Sequence, residues 1–454
     1  MSISRPLFFD AIVAVMRRKL NSETNFEITR GIFLVLVFSL LAKSVGAVKE
    51  MAVAWRYGIG ETVDAFIFVF SLLSLPVSVW FGAIFATLVP LLSQRSYDDN
   101  DTVHQLKELA GGNLLVGQFI GLLTALLIWL SLHLGWSGLT PTSVLLGKSF
   151  VLWMWLSVPI LFVANFFACR LIAAKRFGNS FLEALPSLFI LIFVLLAPLD
   201  NGWPMVGGFV IGCAVQLIAC GWLLKDKGNW FRFPKTHSPM LKQLANPLKT
   251  VLFMQLLISS SIIVDMFIAG RLTTGSIATF GYATRVVALA LTLLSTTVGR
   301  ALLPTLSVVS QKEPENLVQI SVRWSGMMFI LGLFVAAAIF VMANPIVELL
   351  FERGAFGERD TAAVAEIMGI LIFQLPFAVS VMVLTQMNFS SGHYRTVAIM
   401  AGGTIVVKLI SGIWLSSIWE ISGLAASVVF VSIFQLIFLV VQAGLEKKGR
   451  VIKV

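Results

Sequence analysis

The chain has 454 residues, of which 58% are hydrophobic and 12% charged, with a mean hydropathy of +0.92 and a net charge of +10. A soluble domain carries about twice that charged fraction, so the composition excludes a water-soluble globule and indicates an integral membrane protein. Three cysteines and four histidines lie scattered without CxxC or HExxH spacing, and no phosphate- or dinucleotide-binding glycine fingerprint occurs, which leaves no basis for a metal site, a nucleotide-hydrolysing engine or any other cofactor.

In residues 1–27, apolar Leu7, Phe8, Ile12, Val15 and Met16 precede Arg17, Arg18 and Lys19. A signal peptide has the opposite order, so this segment is expected to be an amphipathic helix on the cytoplasmic leaflet. Apolar runs of near span length follow at about 31–55, 64–92, 109–133, 147–174, 178–197, 204–224, 247–270, 276–304, 320–343, 362–390, 396–417 and 421–443. Cations gather in the N-terminal tail, in even-numbered loops (Lys107, Lys175, Arg176, Lys225, Lys227, Arg232, Lys235, Lys242, Lys312) and after the last span (Lys447, Lys448, Arg450, Lys453). Odd-numbered loops hold little beyond Arg56, Arg271, Arg353 and Arg359, which by the positive-inside rule places both termini in the cytoplasm. The basic balance is therefore topology, and nucleic acid is not an expected partner.

The expected fold is an all-α polytopic membrane protein of about 12 transmembrane helices in two pseudo-symmetric six-helix bundles around a central cavity. Its expected parts are the tail 1–27, a first lobe 28–224, a cytoplasmic linker 225–246, a second lobe 247–443 and a basic tail 444–454. An internal repeat supports the division: with a shift of about 215, Glu50 and Arg56 fall on Asp265 and Arg271, and a nearby shift aligns Pro159 with Pro376. Even span numbers make the repeat parallel, with its axis along the membrane normal.

Ions at membrane depth cost roughly 2.5–3.5 kcal/mol each on insertion scales, so those inside spans are the candidate functional residues. The first span holds Lys43, Lys49 and Glu50. At 100° per residue Lys43 and Glu50 share a face with Lys49 at its margin, and the two turns between Lys43 and Glu50, about 10 Å, prevent direct neutralisation. In the second half, Asp265, Arg285 and Lys408 lie within spans, Arg285 as an unpaired guanidinium. The cations Lys43, Lys49 and Arg285 are expected to bind an anionic substrate, with Glu50 and Asp265 as counterions. Lys408, in the middle of the eleventh span, must be neutral or paired unless it snorkels to an interface, and Asp265 is its expected partner. No catalytic carboxylate pair or Ser/His/Asp set gathers on one side, so no enzyme is expected.

The stretch AKSVGAVKEMAVAWRYGIGETVDAF resembles the first-helix signature of the MviN family of lipid II flippases, and IVDMFIAGRL, YATRVVALAL, PIVELLFERGAFGERDTA and LPFAVSVMVL follow in that family's order. The superfamily is that of the multidrug, oligosaccharidyl-lipid and polysaccharide exporters. The resemblance implies a V-shaped pair of bundles that moves a polyprenyl-pyrophosphate-linked glycan between leaflets of the bacterial inner membrane. It places the family's first-helix arginines and aspartate on Lys43, Lys49 and Glu50 and its eighth-helix arginine on Arg285. Its second-helix arginines fall on Ser71, Val77 and Ser78, and lysine offers a point charge where arginine offers a fork, so the glycan carried could be lipid II or an exopolysaccharide or O-antigen unit. Members usually carry two further helices that shelter the lipid tail, beyond the twelve spans read here. Some bind sodium between a seventh-helix carboxylate and the eleventh helix, where this chain offers Asp265 and Lys408, so the Lys408 ammonium is expected to stand in for the ion.

The function expected is thus a lipid-linked saccharide flippase, working beside glycan-synthesis enzymes. The alternatives are a cation-coupled multidrug exporter of the same architecture, which calls for an acidic cavity, and a non-transporting scaffold.

Overall fold

A computed structural model describes residues 23–93, 100–174, 179–198, 201–224, 232, 239–312, 316–391 and 393–451. The amphipathic helix expected at 1–27 lies almost wholly outside the described residues, as does much of the linker at 225–246. The first half contains α1 (Glu23–Tyr57), α2 (Glu61–Ser93), α3 (Asn100–His133), α4 (Pro141–Met154), α5 (Ser157–Ala173), the single turn α6 (Asn179–Leu182), α7 (Leu185–Leu196) and α8 (Trp203–Leu224). The second contains α9 (Pro239–Ser259), α10 (Ser261–Ala269), α11 (Ser276–Lys312), α12 (Leu317–Val341), α13 (Ala343–Phe351), α14 (Glu358–Leu371), α15 (Gln374–Ser390) and α16 (Tyr394–Val451). A helix satisfies its own backbone polar groups, which hydrocarbon cannot do, and the described secondary structure is helical throughout.

Among the described residues, eight helices are long and apolar enough to cross a membrane, or nine when the α4–α5 pair, bent by 45°, counts as one span. The expected twelve are not confirmed as separate helices, and the reason is visible in the chain. The apolar stretch Arg395–Leu445 is one of the eight yet has 51 residues, about 77 Å of helix against a hydrocarbon core of about 30 Å. Its helical dihedrals break at Trp419 and Glu420, Glu420 having φ +46, between the runs read as the last two spans. Likewise Glu358–Ser390 forms one apolar segment of 33 residues containing α14 and α15.

Several helix starts and stops follow from local chemistry. Thr140 sits extended before Pro141, and its hydroxyl accepts from the Ser143 amide at 3.3 Å, so α4 begins with a side-chain cap and a proline whose missing N–H costs nothing. The carbonyls at the C-terminal end of α7 are taken by Arg56, whose Nη1 donates to Val194 O at 2.6 Å and Ala197 O at 2.7 Å.

The halves pack by close helix crossings and meet along α2. In the first half α3 crosses α5 at Gly117, where a Cβ would come within 2.8 Å of Pro159 Cα. In the second, α12 crosses α15 at Gly332, where a Cβ would come within 2.7 Å of Pro376 Cα. Small residues let membrane helices approach closely, and the same glycine–proline crossing recurs at repeat-related positions. Helix α2 also touches α9, α10 and α11, so it joins both halves. The largest core is continuous across the joint, with Ala52, Val53 and Ala54 of α1, Ile277 to Ala283 of α11, and Phe351 and Phe356 in one cluster.

Candidate functional site

Exposure along α1 and α11 shows where the halves separate. Residues 52–54 of α1 and Ile277, Ala278, Tyr282, Ala283 and Val287 of α11 are buried, whereas Lys43, Ser44 and Val48 of α1 and Leu293 of α11 are exposed. The two helices are thus sealed at one end and open toward the other, and the charged residues of α1 stand at the transition.

There Glu50 holds two cations. One of its carboxylate oxygens pairs with the neighbouring Lys49 ammonium, and the other accepts from Arg285 Nη1 across the joint between α1 and α11. Glu50 and Lys49 are each 8% exposed, while the Arg285 side chain keeps 27% of its surface open. The expected unpaired guanidinium is therefore corrected to a paired one: Glu50, in the other half of the sequence, lies within reach, a contact that no periodicity within one helix reveals. The triad carries one positive charge in excess. Lys43 is exposed about 9 Å further along α1 by helix rise, on the open side and within electrostatic reach of Glu183.

A second ionic site lies between α10 and α16. Lys408, 2% exposed, places Nζ 2.6 Å from Asp265 Oδ1 and donates a hydrogen bond to Ser427 Oγ at 3.0 Å. At that separation the contact is a close, charge-assisted ion pair. Ser427 in turn donates to Leu424 O at 2.7 Å, which fixes its lone pairs toward the ammonium. Six candidate residues thus divide into a triad with Lys43 beside it and a separate pair. The sequence repeat relates Glu50 to Asp265, and in the structure each carboxylate faces a cation from a helix of the second half.

The sealed end is closed by contacts that sequence reasoning did not single out. Asp64, 3% exposed in the first turn of α2, accepts from the Gly275 amide at 2.6 Å and the Ala278 amide at 2.7 Å, so it caps α11 in the other half. An acid in the first turn of a span reads as favouring its own helix, which hid the cross-half role; the signal available was its place beside the GxGxxxD turn. Ala355 N donates to Trp55 O at 2.8 Å, and the Tyr282 hydroxyl donates to Gly58 O at 3.3 Å. Gly58 and Gly354 take φ of +59 and +63 at this contact, a conformation a side chain would strain, and a Cβ on Gly58 would lie 2.6 Å from Ala355 O.

The sequence profile described as MurJ, lipid II flippase MurJ, matches residues 53–453. A probable lipid II flippase MurJ of Bdellovibrio bacteriovorus is 28% identical over 305 residues, covering 64% of this chain and 57% of that relative. The chain spans little more than half the length of the first curated relatives it matches, 57% and 52%. Among solved structures, a lipid II flippase MurJ in an inward closed conformation superposes with a TM-score of 0.73 at 19% identity, covering 90% of this chain and 87% of that one. An inward-facing multidrug resistance MATE family transporter of the MOP superfamily gives a TM-score of 0.71 at 12% identity, covering 92% and 98%. At such identities the structural likeness establishes a shared fold.

Proposed function

Because the chain belongs to the family of the lipid II flippase MurJ, we propose that it carries a polyprenyl-pyrophosphate-linked saccharide, lipid II itself, across the bacterial inner membrane by alternating access. It acts as a transporter and makes or breaks no covalent bond. Residues 28–224 and 247–443 serve as the two moving lobes, 225–246 as the linker between them, and both termini face the cytoplasm, where glycan-synthesis enzymes supply the substrate.

The observation that carries this reading is the Lys49–Glu50–Arg285 triad. A diphosphate requires positive charge that is fixed in place yet not fully neutralised. Glu50 holds both cations in position while cancelling only one of them, and Arg285 is the more open of the two. Guanidinium forks match phosphate oxygens in pairs, so Arg285 takes the diphosphate directly, with Lys49 and Lys43 adding point charges. An exporter of cationic drugs needs the opposite sign at this position.

Replacing Arg285 with alanine tests the assignment in a strain depleted of its own lipid II flippase. The expected outcome is loss of complementation with unchanged abundance and membrane insertion, and growth equal to the wild type would overturn it. Since Glu50 touches the cations rather than the substrate, Glu50→Gln is expected to impair growth less than Lys49→Ala. The reverse order would point to a cation-binding site centred on the acid.

A further inference from the structure

A second chamber lies away from the triad, enclosed by α2, α3, α5 and α9. Its volume is about 310 Å³, at the lower end of the range of small-molecule sites. The walls are apolar and aromatic, built from Trp80, Leu88, Leu109, Phe166 and Leu248, with three polar side chains among them, of which Thr87 donates its hydroxyl to Ala83 O at 2.8 Å. Asn113, 7% exposed, is satisfied: its oxygen accepts from Trp80 Nε1 at 2.7 Å and its amide donates to Leu109 O at 2.8 Å. Glu108 is not. It is 8% exposed, lines the chamber, and among the described residues has no hydrogen-bond or ion-pair partner.

An acid in a low-dielectric interior normally has a charged or hydrogen-bonding partner, because a buried polar group without one costs free energy. Among the described residues none is supplied, although Asn113 further along the same helix is engaged. The chamber rim explains how a partner arrives. Leu115 and Val116 line it while remaining 47% and 37% exposed on the outer surface of α3, so entry is from the lipid side. A ligand that partitions into the bilayer and carries one positive charge satisfies each feature: its apolar body fills the walls, its charge pairs with Glu108, and the Trp80 and Phe166 rings add cation–π attraction.

We infer that this chamber is a binding site for an amphiphilic monocation, an alkyl- or arylammonium, whose ammonium group pairs with Glu108. The site is independent of the triad, which carries the opposite net charge.

Radiolabelled benzyltrimethylammonium is titrated onto the full chain in nanodiscs, with neopentylbenzene, its uncharged carbon analogue, as competitor. Saturable binding is expected, displaced at least tenfold less effectively by the neutral analogue, weakened at least tenfold by Glu108→Gln and unchanged by Glu50→Gln. Absence of saturable binding, equal competition by neopentylbenzene, or equal loss in both variants would overturn the site. The competitor arm uses the unaltered chain, so the answer stands even where a variant folds poorly. Discs of an uncharged glucosyl diacylglycerol and of phosphatidylethanolamine, neither with a net surface charge, separate the ligand's source. Tenfold weaker probe binding in the amine lipid assigns its headgroup as the resident occupant, whereas equal binding assigns a soluble cation.

Discussion

The residues that decide function here are ions that a bilayer penalises, and those of the triad and of the Lys408–Asp265 pair each keep an opposite charge beside them. Lys408 shows the logic most simply. Its ammonium is almost wholly buried and meets Asp265 at 2.6 Å, so removing either partner strands the other as an uncompensated buried charge. Breaking such a pair costs about 3–5 kcal/mol, whereas replacing both members with neutral groups is often nearly neutral. Lys408→Met is therefore expected to lower the midpoint of thermal unfolding in detergent by several degrees, and Lys408→Met with Asp265→Asn to recover most of that loss. Equal destabilisation by the double variant would show that the pair is not what holds α10 to α16. The chain carries its own cation at this carboxylate, so replacing sodium with choline is expected to leave reconstituted transport unchanged. Lys408→Asn, which frees Asp265 for an ion, is expected to make transport depend on sodium. Sodium dependence of the unaltered chain would refute the substitution.

At the scale of helices, the sequence revealed what depends on one helix and concealed what depends on two. The all-helical, membrane-spanning class was legible, because hydropathy and periodicity are local signals. The repeat reaches into the packing: Pro159 and Pro376, aligned in the sequence, each meet a glycine of a neighbouring helix, at Gly117 and Gly332. The pairing of Arg285 with Glu50 and of Asp64 with the start of α11 joins residues more than 200 positions apart, and no pattern along one chain encodes it. The count of twelve spans is not confirmed for a related reason, since a long apolar stretch does not reveal where its helix breaks or continues. The Asp64 cap makes a prediction at this scale. Asparagine keeps the shape but replaces one acceptor oxygen with a donor, so Asp64→Asn gives up one amide bond and the favourable charge at the α11 terminus. A cysteine placed at Ala278, fully buried while this end is closed, is then expected to react several-fold faster with a membrane-impermeant maleimide than in the Asp64 background. The native Cys169, Cys213 and Cys220 are buried and add little background. An unchanged rate would mean that Asp64 does not hold the end closed.

For the molecule as a whole, the contacts form a hinge problem with a measurable answer. One end is held by Asp64 on α11, by Ala355 on Trp55 and by Tyr282 on Gly58, while the other end of α1 and α11 stands open beside the cations. Alternating access requires these cross-half contacts to break so that the other end can close: hydrogen bonds each worth about 1 kcal/mol net, together with the apolar cluster that spans the joint. A covalent bond at the same place should forbid the exchange. The backbones of Trp55 and Ala355 are already joined by a hydrogen bond of 2.8 Å, a proximity compatible with the Cα separation of about 4.4–6.8 Å that a disulfide spans. A chain carrying Trp55→Cys and Ala355→Cys is expected to lose transport when oxidised and to regain it on reduction, with each single variant indifferent to both treatments. Reduction is the control that separates a locked gate from a damaged fold. Full transport by the cross-linked chain would show that substrate leaves without this end opening, and the alternating-access reading would fall with it.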